Sequence, residues 1–205
     1  MSDDTTPPAR ALVAGKIGTT FLCCYLFAVA LRLGGCYRPD PQARDELPTV
    51  GPRVGESFPG FALPDVSGPR IGLRDLAGRP AVLAFVPSLD WSAATKARVV
   101  DLAEAVAGRR DVTLAVILTA AAATPRSVTF TREHPASAYF LIDGDGLTEQ
   151  LGLGAAGPDE SRVALPCTFV LDGHGTVVLR DIRRDPRTWL DADAVLAATR
   201  LSPGP

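Results

Sequence analysis

Two near-continuous apolar runs, Ala81 to Val86 (AVLAFV) and Val112 to Leu118 (VTLAVIL), constrain this chain more than any other feature. An extended run with no polar alternation has no solvent-facing side, so each reads as a strand buried on both faces. Between them, Ser92 to Ala107 carries Val99, Val100, Leu102, Ala103 and Val106 at helical spacing. Strand, helix and second buried strand make a βαβ unit, which forces parallel pairing through a right-handed crossover.

The rest of the chain extends this pattern. Phe61 to Asp65 is a short extended piece ending in a Pro-Asp turn signal. Ser127 to Glu133 predicts a short helix, Ala138 to Ile142 (AYFLI) a third strand, and Leu147 to Leu151 a small helix. Cys167 to Leu171 and Thr176 to Leu179 flank Asp172-Gly173-His174-Gly175, a hairpin signal. Leu190 to Leu201 predicts a closing helix. The expected fold is α/β: a mixed sheet covered by helices on both faces.

At 205 residues the chain fits one ordinary domain plus an extra segment. A formal net charge of −2 without a basic stripe argues against nucleic acid as a partner. Only His134 and His174 are available as imidazole ligands, far apart in sequence, so neither a His/Cys metal site nor a metal cofactor is expected. Of the four cysteines, Cys23, Cys24 and Cys36 fall in the first 36 residues. Cys167 is alone in the remainder, so no disulfide framework holds the domain.

The first 36 residues read as a membrane segment, 37–53 as a Pro-rich charged linker, and 54–201 as the folded domain. Ile17 to Leu31 is uncharged and apolar, between Lys16 and Arg32. Its fifteen residues fall short of the ~20 needed to span hydrocarbon, but Ala11 to Leu31 suffices if Lys16 snorkels. Leu33-Gly34-Gly35-Cys36 resembles the lipobox of bacterial lipoproteins, which would make Cys36 a lipid-attachment site. A buried core helix is the third reading. The first two tether the domain to a membrane. Basic residues on both sides of the run leave its orientation open, and a signal-type leader would place the domain outside the cytoplasm.

Four phrases, in order, resemble the thioredoxin-fold redoxins, the peroxiredoxin (AhpC/TSA) family. Val54-Gly55-Glu56 through Phe61-Ala62-Leu63-Pro64-Asp65 resembles the family's opening, and Leu73 to Pro80 (LRDLAGRP) its lead into the active-site strand. Ala81 to Pro87 resembles that strand, and Pro166 to Asp172 with Gly175 the later hairpin. The resemblance covers roughly residues 50 to 200. It implies a thioredoxin-like sheet and a reactive thiolate at a helix N-terminus, where the dipole and backbone N–H groups lower its pKa.

The chemistry departs from the family at that point. Pro87 begins the expected segment, but Trp91 stands where the family has Thr or Ser, Ala94 where it has the peroxidatic Cys, and Pro166 where it has the partner arginine. A Cys-x-x-Cys pair would fall among Asp90 to Ala94, none of which is Cys. Under the thioredoxin alignment Pro166 takes the place of the cis-proline, either as a peptide-binding edge or as a structural turn. Cys167 follows it and is the one candidate thiol; its bland reading is a small buried side chain. Asp90 or Ser92 is expected to cap the helix. Arg180, Arg183, Arg184 and Arg187, interleaved with Asp181 and Asp185, are expected as a solvated face. Two functions remain open: a membrane-tethered protein that binds a protein partner or assists redox or cofactor assembly without thiol catalysis, and a residual oxidoreductase working through Cys167 or cysteines in trans.

Overall fold

The computed structural model describes residue 47 and residues 49–119, 125–133, 138–156 and 162–200. All described residues belong to one compact unit within Asp40–Pro205. The expectations placed on Lys16, the 17–31 run, Cys23, Cys24, Cys36 and His134 lie outside the described residues.

Strands and helices follow in the order β1 (Ala62–Pro64), β2 (Arg70–Gly72), β3 (Ala81–Val86), α1 (Ala93–Val106), β4 (Thr113–Leu118), α2 (Pro125–Glu133) and β5 (Ala138–Ile142). Then come α3 (Leu147–Gln150), β6 (Gly154–Ala156), β7 (Arg162–Ala164), β8 (Cys167–Leu171), β9 (Val177–Ile182) and α4 (Ala192–Thr199). The main sheet has five strands in the order β5-β4-β3-β8-β9. β3, β4 and β5 run parallel, as the crossover argument requires, and β8 and β9 add to β3 as an antiparallel hairpin. The Asp172–Gly175 turn is the predicted one: Asp172 Oδ1 accepts from the N–H groups of His174 (2.9 Å) and Thr176 (2.8 Å), and Gly175 takes φ 85°. A left-handed φ is open to glycine without a steric penalty.

The sheet separates two apolar clusters. On one face Val82, Ala84, Val86, Leu114, Val116 and Val170 meet Val99, Leu102, Ala103 and Val106 of α1, with Phe130 of α2 and Val195, Leu196 and Ala198 of α4. On the other, Leu83, Phe85, Ala115, Ile117, Cys167, Phe169 and Ile182 pack with Leu147, Leu151, Phe58 and Leu63. The alternation along each strand produces this division, and continuous apolar runs are what two buried faces demand. Long helices therefore cover one face. The other carries the one-turn α3, the β1–β2 and β6–β7 pairs and the segment leading into the domain.

That segment is bonded to the sheet. Leu47 N–H donates to Ile182 O (2.9 Å), Gly55 N–H to Val177 O (2.8 Å), and Val177 N–H to Glu56 O (2.9 Å). The Arg180 guanidinium donates to the carbonyls of Leu47 (2.7 Å) and Val50. Part of the stretch read as linker thus covers the open edge of β9. Unpaired strand edges template association, so this cover also protects the fold.

Candidate functional site at a strand-to-helix junction

β3 ends at Val86, and the chain crosses to α1 through Pro87-Ser88-Leu89-Asp90-Trp91-Ser92. Pro87 and Leu89 are buried, while Asp90 is exposed and Trp91 is 42% exposed. The Trp91 N–H closes a turn on Ser88 O (3.3 Å). Ser92 is the cap: its Oγ accepts from Thr95 N–H (3.0 Å) and lies 2.9 Å from Thr95 Oγ1. Ala94, half-buried, is the second residue of α1. The helix terminus that would stabilise a thiolate is formed, and it presents a methyl group.

Cys167, the candidate thiol, lies apart from that helix terminus. Although adjacent to Pro166 in sequence, it is fully buried and pairs with Phe85 on one side and Ile182 on the other. Its side chain belongs to the cluster on the face away from α1, so the sheet stands between its sulfur and Ala94. Burial, followed by the field of Asp181, pushes the thiol well above the usual cysteine range; a backbone hydrogen bond from Phe85 and the charge of Arg180 oppose them more weakly. A thiol so placed is poorly nucleophilic, because the thiolate is the reactive form. Adjacency to Pro166 in sequence implies proximity to that terminus. Strand alternation decides otherwise.

The Leu165–Pro166 peptide is trans. Pro166 O accepts from Arg183 N–H (2.8 Å), and Leu165 N–H donates to Leu153 O (2.8 Å). These two groups of the presumed peptide-binding edge are already engaged within the domain. What remains open near the junction is a cleft of about 320 Å³ lined by Leu89, Lys96, Thr129, Phe130 and Glu133. Its apolar residues Leu89 and Phe130 are buried, with exposed Lys96 and Glu133 supplying opposite charges at the rim. A second hollow, 140 Å³, lies between the Leu73–Leu76 turn and the hairpin turn that carries exposed His174.

The arginine run is not a solvated face throughout. Arg184 and Arg187 are exposed, but Arg183 is 4% exposed and Asp181 fully buried, joined as an ion pair. Arg98 of α1 is also buried and stacks over Trp189, its Cζ 5.9 Å from the ring centroid. The signal for Arg98 was available, since it shares the helical stripe of Thr95 and Leu102. Period-two alternation likewise puts Leu179 and Asp181 on one face of β9. Among the described residues no helix is long and apolar enough to cross a membrane.

The sequence profile of the AhpC/TSA family matches residues 54–180. Among curated proteins none matches the sequence. Among solved structures, a thiol peroxidase from Chromobacterium violaceum is similar with a TM-score of 0.63 at 19% identity, covering 76% of this chain and 91% of that one. A peroxiredoxin-like protein from Aquifex aeolicus gives 0.62 at 18% identity, covering 74% and 90%. Peroxidoxin BcpB from Mycobacterium tuberculosis gives 0.55 at 21% identity, covering 73% and 97%. At such identities the likeness speaks to the fold: a thioredoxin-like mixed sheet.

Proposed function

This chain belongs to the AhpC/TSA family, and from that premise we propose that it works without thiol catalysis, as a membrane-tethered redoxin-fold protein that engages a protein partner. The observation that carries the reading is the separation of its thiol from its helix terminus. Ala94 occupies the reactive position, and Cys167 is buried across the sheet with its pKa raised. A fold can keep a binding surface after losing its reagent. The surfaces available are the half-exposed Trp91, two residues after Leu89, and the cleft lined by Leu89 and Phe130; exposed aromatics of this kind anchor protein interfaces. The tether rests on the apolar 17–31 run and on the Leu33–Cys36 phrase, and a signal-type leader puts the domain outside the cytoplasm. Assembly of a redox or cofactor system is the service such a partner would draw on.

The test uses the full chain in detergent, assayed for hydrogen peroxide consumption and insulin disulfide reduction with excess reductant. We expect no turnover above the blank, no change in Cys167→Ser, and measurable peroxide consumption in Ala94→Cys, whose thiol enters the first turn of α1 with a depressed pKa. Turnover in the native chain that disappears in Cys167→Ser would make this a one-cysteine oxidoreductase instead. A photo-crosslinking residue in place of Trp91 should give a discrete adduct in cells that the same residue at Arg110, beyond the far end of α1, does not.

A further inference from the structure

On the face of the sheet away from Cys167, where α1 and α4 pack together, lies a group of buried polar side chains that the junction does not use. Arg98 comes from α1 (6% exposed), Arg183 from the end of β9 (4%), Trp189 from the segment before α4 (7%), and Thr168 and Asp181 from paired positions on β8 and β9 (0%). Asp181 is the buried carboxylate among them, and both its oxygens are taken. Oδ1 accepts from Arg183 Nε, and Oδ2 from the Leu190 N–H at 2.9 Å. Asp101 and Asp191, which also act on Arg98, are exposed.

Donors therefore outnumber acceptors. Arg98 Nε and Nη2, Arg183 Nη1, Trp189 Nε1 and Thr168 Oγ1 are buried with no hydrogen-bond partner. Guanidinium groups keep their protons, so two buried cations face one buried carboxylate, and the further negative charges acting on Arg98, those of Asp101 and Asp191, are exposed. Burying a charge balanced only by exposed carboxylates, together with several unmade hydrogen bonds, is unfavourable. A species that relieves both must accept hydrogen bonds and carry negative charge. Because each of these side chains is less than a tenth exposed, it must also be small and enclosed. A cation fails on charge, and a phosphate or a peptide carboxylate fails on size.

We propose that Arg98, Arg183, Trp189 and Thr168 enclose a monatomic anion, a halide such as chloride, that ties α1 to β8 and β9. N–H and O–H donors from a guanidinium, an indole and a hydroxyl form a coordination shell suited to a halide, since the ion accepts from any direction and brings no substituents to accommodate.

Trp189 reports on the site directly. The chain has two tryptophans, so Trp91→Phe leaves Trp189 as the sole emitter. In that variant of the full chain, in detergent at constant ionic strength with gluconate as the balancing anion, iodide should quench the emission saturably. Added chloride should restore it by competition. Removing a charged donor with Arg98→Met should raise the half-saturating iodide concentration about tenfold or more, with circular dichroism confirming the fold. Should Arg98→Met fail to fold, chloride competition in the Trp91→Phe chain decides by itself. Emission indifferent to iodide, or quenching that rises linearly and ignores chloride, would overturn the proposal and assign those donors to water.

Discussion

Cys167 and Ala94 show how a residue's neighbours in space override its neighbours in sequence. One is a thiol without the environment that makes thiols reactive; the other sits in that environment without a thiol. The raised pKa of Cys167 has a thermodynamic consequence whose sign can be stated. The folded chain holds the thiol proton more tightly than the unfolded chain, whose cysteine titrates near ~8.5. The stabilisation linked to it is present below that pH and is lost as pH rises above it toward the folded value. Thermal unfolding from neutral to alkaline pH should therefore show a decline above about pH 8.5, shallower in Cys167→Ala. In a chain whose Cys23, Cys24 and Cys36 are replaced by serine, Cys167 should also resist alkylation until the domain unfolds. Rapid alkylation in the native state would contradict the burial.

Among elements, β9 is an edge strand of the main sheet, held on both sides. Its inner edge pairs with β8, while its outer edge is covered by the segment from Leu47 to Glu56 through backbone bonds and the Arg180 guanidinium. Gly51 sits in this cover at φ 71°, and a Cβ there would meet Phe169 Cζ at 3.1 Å and Ile182 Cδ1 at 3.3 Å. The cover is thus packed against the core as well as bonded to the edge. Arg180→Met removes the side-chain part of this attachment. Amide exchange should then speed at Leu47 and Gly55, while the amides of β3 and β4, buried between both clusters, stay protected. Equal acceleration throughout would mean that the cover and the sheet open as one unit.

At the scale of the whole molecule, the sheet is a partition between two cores, and the proposed membrane tether predicts where the chain is found in cells. Cells expressing the full chain should retain it in the membrane fraction. Labelling with a radioactive fatty acid that vanishes in Cys36→Ala would identify lipid attachment; membrane retention without labelling would identify the anchoring helix, and a freely released chain would exclude both. The sequence alone determined the order β3-α1-β4-α2-β5-α3-β8-β9-α4, the parallel pairing of β3, β4 and β5 and the absence of any cysteine between Cys36 and Cys167, but not β2 or the β6–β7 pair. Apolar runs, helical spacing and the residues at 91, 94 and 166 are local properties, open to inspection along one dimension. The tertiary structure decided what depends on which face a side chain takes and on who meets it there. Cys167 falls on the side away from α1 because β8 alternates, and Arg98, Asp181 and Arg183 are buried because α1 and α4 pack together on the opposite face of the sheet. A linear pattern of charges reads as a solvated surface until packing supplies the partner and removes the water.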